Sequence, residues 1–121
     1  MKIYVSHPTK YDFKKELYKP LRSSVLNEYH EITLPHETAD GPTSTKDIIS
    51  VQDLIIAEVS YPSTGQGIEL GWADSAGVRI LCIYRSDTIL SSSLKLITNN
   101  FIEYKNSDSL IEQLSGFLDQ S

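Results

Sequence analysis

Leu54-Ile55-Ile56-Ala57-Glu58-Val59, followed by Ser60-Tyr61-Pro62-Ser63-Thr64-Gly65-Gln66-Gly67, is the stretch on which the fold turns. The first six residues are almost wholly apolar. Such a run, bounded by turn formers, reads as a central parallel strand covered on both faces. The turn-forming stretch leads into a helix predicted over about Gly67 to Ala76, closed by Gly77 as a C-terminal cap. Ile80 to Tyr84 is the next apolar run and the next strand. Strand, helix and parallel strand make a βαβ unit, which places helices against both faces of a sheet.

The same alternation extends to both ends of the chain. Ile3-Tyr4-Val5 is a strand that stops at Ser6-His7-Pro8. Phe13, Leu17, Leu21 and Val25 recur at steps of four and predict a helix with one apolar face, which Pro20 should kink or split. His30 to Leu34 is a second strand, ended by Pro35, and Glu37 to Thr45 is a loop. A short helix is expected from about Thr45 to Val51. After Asn99-Asn100 comes a short edge strand, Phe101 to Tyr104. A last helix puts Leu110, Leu114, Phe117 and Leu118 on one face, with Ser107 or Asp108 as its N-cap. The expected fold is a single-domain, doubly wound α/β fold: a flavodoxin-like five-stranded parallel sheet in the order 2-1-3-4-5.

Composition narrows the function classes. The 121 residues suit one domain with one core. A net charge of −5 and the lack of any basic block disfavour binding to nucleic acid. Cys82 is the only cysteine, so no intrachain disulfide forms, and its apolar neighbours predict a buried, inert thiol. No apolar run reaches membrane-spanning length. The first residues read as a strand and not as a signal peptide, so a cytoplasmic protein is expected. His7, His30 and His36 match no zinc pattern, and neither a metal nor a cofactor is expected.

In an open α/β sheet a ligand binds beyond the C-terminal strand ends, where strand order reverses. Here that point lies between strands one and three. The polar residues that meet there are Ser6, His7, His36, Glu37, Ser63 and Glu69. Glu69, placed by the predicted helix in its first turn, is the leading candidate. A helix N-terminus favours a carboxylate there, and an ionised carboxylate facing a crevice suits a nucleophile. The alternative is a glutamate that merely satisfies free amides at a helix start. Gly65 and Gly67 permit positive φ and close backbone approach to a phosphate or sugar hydroxyl, or they form a simple turn. His36 and Glu37 either contact a ligand or form a solvated loop edge. Gly-x-Ser-x-Gly is absent, which removes the serine-hydrolase elbow.

The segment from Asp53 to Ala73, with Asp-x-x-x-Ala-Glu-Val followed by Pro-Ser-x-Gly-x-Gly-x-Glu-Leu-Gly-x-Ala, resembles the nucleoside 2-deoxyribosyltransferase family. In motif it is closest to the branch of 2′-deoxynucleoside 5′-phosphate N-hydrolases, and the match continues into Ile80-Leu81-Cys82 and Arg85. The resemblance implies that Glu69 attacks the anomeric carbon of the sugar, forming a covalent glycosyl-enzyme. It implies that Ser63 binds a phosphate or the sugar 5′ end, and that an aspartate before strand three handles the leaving base. Asp47 is the nearest aspartate, with Asp40 as the alternative. It further implies a homodimer whose partner offers a serine to the 5′ end, here Ser91. The phosphate-specific branch carries Gly-Ser-x-Arg after its first strand; this chain has Ser6-His7-Pro8-Thr9 there, without the arginine. Ser6-His7 is also similar to TIR domains, some of which cleave NAD with a glutamate. A non-catalytic nucleoside- or nucleotide-binding module is the third reading.

Overall fold

The computed structural model describes residues 1–37 and 44–120. Asp40 and most of the loop expected over Glu37 to Thr45 lie outside the described residues. Five parallel strands form one sheet in the order β2-β1-β3-β4-β5. They are β1 (Lys2–Ser6), β2 (Glu31–Thr33), β3 (Leu54–Glu58), β4 (Arg79–Arg85) and β5 (Asn100–Tyr104). This is the predicted doubly wound topology. Every residue of β3 is buried: Leu54 to Ala57 as an apolar central strand requires, and Glu58 as an enclosed carboxylate at its end.

The two sheet faces carry separate cores. Ile3 and Val5 of β1, Leu54 and Ile56 of β3, and Leu81 and Ile83 of β4 face one side. There they meet Leu21 of α1 (Lys19–Arg22), Leu26 of α2 (Leu26–Tyr29) and Leu110, Leu114 and Leu118 of α5 (Ser107–Asp119). Tyr4, Ile55, Ala57, Ile80 and Cys82 face the other side. They pack on Ile49 of α3 (Lys46–Ser50) and on Leu70 and Ala73 of α4 (Thr64–Ser75). The period of two along each strand therefore sorts residues between two helical layers. Cys82 is buried and free, and burial pushes its thiol up to about 12.

Four local expectations need correction. The stripe from Phe13 to Val25 is broken, as Pro20 predicts, but it does not keep Val25 on its apolar face. Lys14–Tyr18 form a π-helical turn in which the Lys19 N–H bonds to the Lys14 carbonyl, and α1 then starts with Pro20 in its first turn. Proline has no N–H for an i→i−4 bond, and the wider turn accommodates that loss. The stripe drifts as a result, so Val25 is exposed and Leu26 is buried in its place. The cap of α5 is Asn106, not Ser107 or Asp108. Its side chain accepts from the Ser109 N–H in a reciprocal capping box.

The third and fourth corrections concern α4. It starts at Thr64, not near Gly67, because Ser63 is an N-cap whose hydroxyl accepts from the Gln66 N–H. Gly65 and Gly67 are therefore helical, and neither has a positive φ. The cap, together with burial of Gln66, Leu70 and Ala73 against the sheet, offsets the helix penalty of two glycines, about 1 kcal/mol each. The predicted stop is correct. Gly77 takes φ 72°, its N–H bonds to the Asp74 carbonyl, and the Val78 N–H reaches the Ala73 carbonyl. That pair of bonds is a Schellman motif.

Candidate active site

Glu69 is the sixth residue of α4, beyond the first turn. The helix dipole, which acts mainly within that turn, is thus not what defines its surroundings. Three hydroxyls define them instead. Tyr4 Oη donates to Glu69 Oε2 at 2.5 Å, and Thr45 Oγ1 donates to the same oxygen at 2.7 Å. Ser6 Oγ donates to Oε1 at 2.8 Å. Tyr4 and Ser6 are two apart on β1, so the strand's alternation aims both at α4. Thr45 immediately precedes α3 and makes no side-chain capping bond there, which leaves its hydroxyl for Glu69. Burial, and next the Glu69 hydrogen bond and charge, hold the Tyr4 hydroxyl well above its ordinary pKa, so it stays a donor.

The carboxylate is fixed yet partly open, since Glu69 is only half-buried. A second carboxylate, Glu58 at the end of β3, is fully enclosed. It accepts from the Ser60 N–H at 2.5 Å and from the Tyr104 hydroxyl. Of the two, Glu69 is the one with exposed surface.

His7 is buried, and both of its ring nitrogens are engaged within the protein. Nδ1 lies 2.9 Å from the Pro8 carbonyl and Nε2 lies 2.6 Å from Tyr18 Oη. A carbonyl only accepts, so Nδ1 carries the proton, and Nε2 accepts from the tyrosine. Tyr18 Oη in turn accepts from the His36 N–H at 3.0 Å. Desolvation lowers the pKa of His7, in keeping with the neutral ring. His36 packs its ring edge-on to His7 at 5.3 Å. Glu37 is held by Arg22 through two bonds of 2.8 Å, and the guanidinium keeps its carboxyl below the usual range.

A cleft of about 360 Å³ opens at the strand switch point, between Pro8-Thr9-Lys10 and Pro62-Ser63-Thr64. Lys10 thus brings a cation to the start of α4, a residue that the sequence reading passed over. A second cleft, of about 290 Å³, is lined by Ser63, Gln66, Gly67, Ile89, Ser91 and Leu94, among others. A Cβ at Gly65 or Gly67 would meet nothing within 4 Å, so the backbone of this turn is open to close approach. A further cleft, of about 670 Å³, lies by Tyr84, Phe101 and Glu103, away from the switch point and from Tyr4, Ser6 and Thr45.

The structure therefore brings Ser6 to Glu69, together with Tyr4, one of the two tyrosines that the sequence sets nearest the crevice, and adds Thr45, which the sequence does not place there. His7, His36 and Ser63 lie around the same strand ends. Asp47 is exposed on α3 and shares no hydrogen bond with Glu69. Ser91 is exposed and caps the 3-10 helix Ser92–Leu96, accepting from the Ser93 N–H at 3.4 Å. Among the described residues, no group of three or more His, Cys, Asp or Glu is arranged to hold a metal ion. No described helix is long and apolar enough to cross a membrane.

A 2-1-3-4-5 parallel sheet with a hydroxyl-cradled carboxylate beside its switch point defines a doubly wound, flavodoxin-like α/β domain. No family model matches the chain. A Trichoplax adhaerens protein with the provisional name 2′-deoxynucleoside 5′-phosphate N-hydrolase 1 is 36% identical over 108 residues, covering 76% of this chain and 75% of that protein. The 5-hydroxymethyl-dUMP N-hydrolase of Danio rerio is 36% identical over 81 residues, which span 60% of this chain and 57% of its own length. This chain belongs to the 2′-deoxynucleoside 5′-phosphate N-hydrolase family. The fold agrees. A CMP N-glycosidase from Clostridium botulinum superposes with a TM-score of 0.71 at 21% identity, over 95% of this chain and 99% of that one. A 2-desoxiribosyltransferase from Leishmania mexicana gives 0.56 at 24% identity, over 69% and 63%.

Proposed function

We propose that this chain cleaves the N-glycosidic bond of a nucleoside or nucleotide, with a deoxynucleoside 5′-monophosphate as the foremost substrate. The observation that carries the proposal is the half-buried Glu69 carboxylate, oriented by Tyr4, Ser6 and Thr45 at the strand switch point. Oε1 has one donor and Oε2 has two, so Oε1 keeps more of its lone-pair density and is the attacking atom. It forms a bond to C1′ as the C1′–N bond breaks, and the bonding pair leaves with the base, which takes up a proton. Water then cleaves the glycosyl ester, releasing the sugar and regenerating the carboxylate. Transfer to a second base in place of water would follow the same first step.

The phosphate is assigned to the cleft between Lys10 and the Ser63-Thr64 start of α4, where free amides and a cation converge. His36 and Asp47 are assigned to the base side, and Gly65 and Gly67 to backbone approach. A homodimer accompanies this reading. Ile89 is 97% exposed and Leu96 84% exposed, and Ser91 stands between them in sequence, so an apolar interface there would deliver Ser91 to a neighbouring site. A cytoplasmic location is proposed with it.

The test is incubation with deoxynucleosides, their 5′-monophosphates, CMP and NAD, with free base as the readout. Release of base from the monophosphates by wild type, abolished in Glu69→Gln, is the expected result. Unchanged turnover in Glu69→Gln would remove Glu69 as nucleophile. Cleavage of NAD alone would point to TIR-like chemistry, and rejection of the whole panel would point to a binding module.

A further inference from the structure

Gln66 lies one helical turn before Glu69 on α4, and it is buried to 6% exposure. A buried glutamine is uncommon and must find partners for its amide. Its Nε2 uses both hydrogens on backbone carbonyls of two different strands. One bond goes to Glu58 at 2.6 Å, the other to Ser6 at 3.2 Å. These are the last residues of β3 and β1. The paired rungs of these strands end at Ser6 and Ala57, so Gln66 spans the point where the two strands part.

Ser6 is thereby held twice by the same helix. Its carbonyl accepts from Gln66, and its hydroxyl donates to Glu69 Oε1. The four links, Gln66 side chain, Ser6 backbone, Ser6 hydroxyl and Glu69 carboxylate, close a ring through one turn of α4. Moving α4 along or around its axis would lengthen both bonds together. The pattern Ser63-Thr64-Gly65-Gln66 also has the form of a capping box, in which the glutamine would fold back on the Ser63 N–H. Here the side chain serves the strand ends instead, while its own backbone N–H takes the Ser63 hydroxyl.

We infer that Gln66 is a positioning residue that sets Glu69 Oε1 through Ser6. The inference rests on Glu69 being the nucleophile, but its geometric part stands apart from that. Gln66→Met keeps the length and volume of the side chain and removes both donors. Three measurements decide the matter: thermal stability, the Ser6 Oγ to Glu69 Oε1 separation in a crystal structure of the variant, and kcat with KM on whichever substrate wild type cleaves.

The expected variant is folded, with the separation opened from 2.8 Å to beyond about 3.5 Å. Its kcat falls about ten- to a hundredfold and its KM changes by less than about threefold, as for a misplaced reacting atom. Adding Ser6→Ala to Gln66→Met lowers kcat little further, because the two act in series. A folded variant with the bond intact, or with kcat unchanged, would overturn the inference, as would losses that multiply in the double variant. Should Gln66→Met not fold, Gln66→Leu, which also lacks both donors, takes its place with the same expected and refuting results. If wild type cleaves nothing in the panel, the enzyme reading fails, and the measured separation still decides the role of Gln66.

Discussion

Replacing Glu69 by alanine tests the hydroxyl cradle as a stability element, separately from catalysis. Tyr4 is fully buried, and Glu69 is the acceptor for its hydroxyl. Ser6 is fully buried as well, whereas Thr45 is partly exposed and can turn to water. Leaving one buried hydroxyl without an acceptor costs about 1–3 kcal/mol. Glu69→Ala leaves two such hydroxyls and should therefore lose about 2–6 kcal/mol, with water in the vacated space holding the loss near the lower end. Tyr4→Phe in the wild-type background removes a bond to a carboxylate and should cost about 1.5–3 kcal/mol. In the Glu69→Ala background the same change removes only an orphan, so it should be neutral or slightly stabilising. The coupling between the two sites then exceeds about 1 kcal/mol. Urea unfolding of the four proteins, followed by tryptophan fluorescence and circular dichroism, gives the cycle, and unchanged m-values license the comparison. If Tyr4→Phe costs the same in both backgrounds, within about 0.5 kcal/mol, the 2.5 Å bond does not exist in solution, and the picture of a fixed nucleophile falls with it.

Further expectations follow from single side chains. Lys10→Ala should raise KM for a 5′-monophosphate about three- to tenfold, the size of one screened charged contact, and leave the unphosphorylated nucleoside unaffected; an equal change for both would remove Lys10 from the phosphate site. Ser63→Ala should destabilise the fold by about 1 kcal/mol through loss of the α4 cap, read as a lower urea midpoint. Burial places the folded-state pKa of His7 below its unfolded value of about 6.5. The contribution of the neutral ring is therefore complete above that pH and is lost as pH falls through the folded value. Urea midpoints of wild type should drop over that window more steeply than those of His7→Gln. Ile89→Asp should shift a dimer toward monomer in analytical ultracentrifugation, and a wild-type monomer would remove the proposed interface.

The fold was legible because burial on two faces leaves a plain mark. The apolar runs of β3 and β4, short and bounded by turn formers, read as buried strands, and Gly77 stands where a helix stop is expected. The switch-point rule then brought Ser6 and Glu69 to one place without any measured coordinate. What stayed hidden has physical causes. Tyr4 counts as one more apolar residue in a strand pattern, although its ring is core and its hydroxyl belongs to the site. Thr45 reaches Glu69 only through tertiary packing of the α3 start, which no spacing announces. Gly65 and Gly67 invite the reading of a loop, yet the Ser63 cap and the packing of Leu70 and Ala73 carry the helix through them. That error also put Glu69 in the first turn. Gln66 carried a visible helix-start signal, but its side chain answers to strand carbonyls distant in sequence.

The strand register of β1 has a consequence for how such a domain can change over time. Odd-numbered Ile3 and Val5 fill one core, while even-numbered Tyr4 and Ser6 aim at Glu69. A deletion or insertion of one residue within β1 would swap the two sets at once, carrying hydroxyls into oil and isoleucine onto the carboxylate. Lineages of this fold therefore have no path of small indels in β1 along which chemistry drifts while stability is spared. New specificities have to be written by substitution, or in the loops that leave the strand ends.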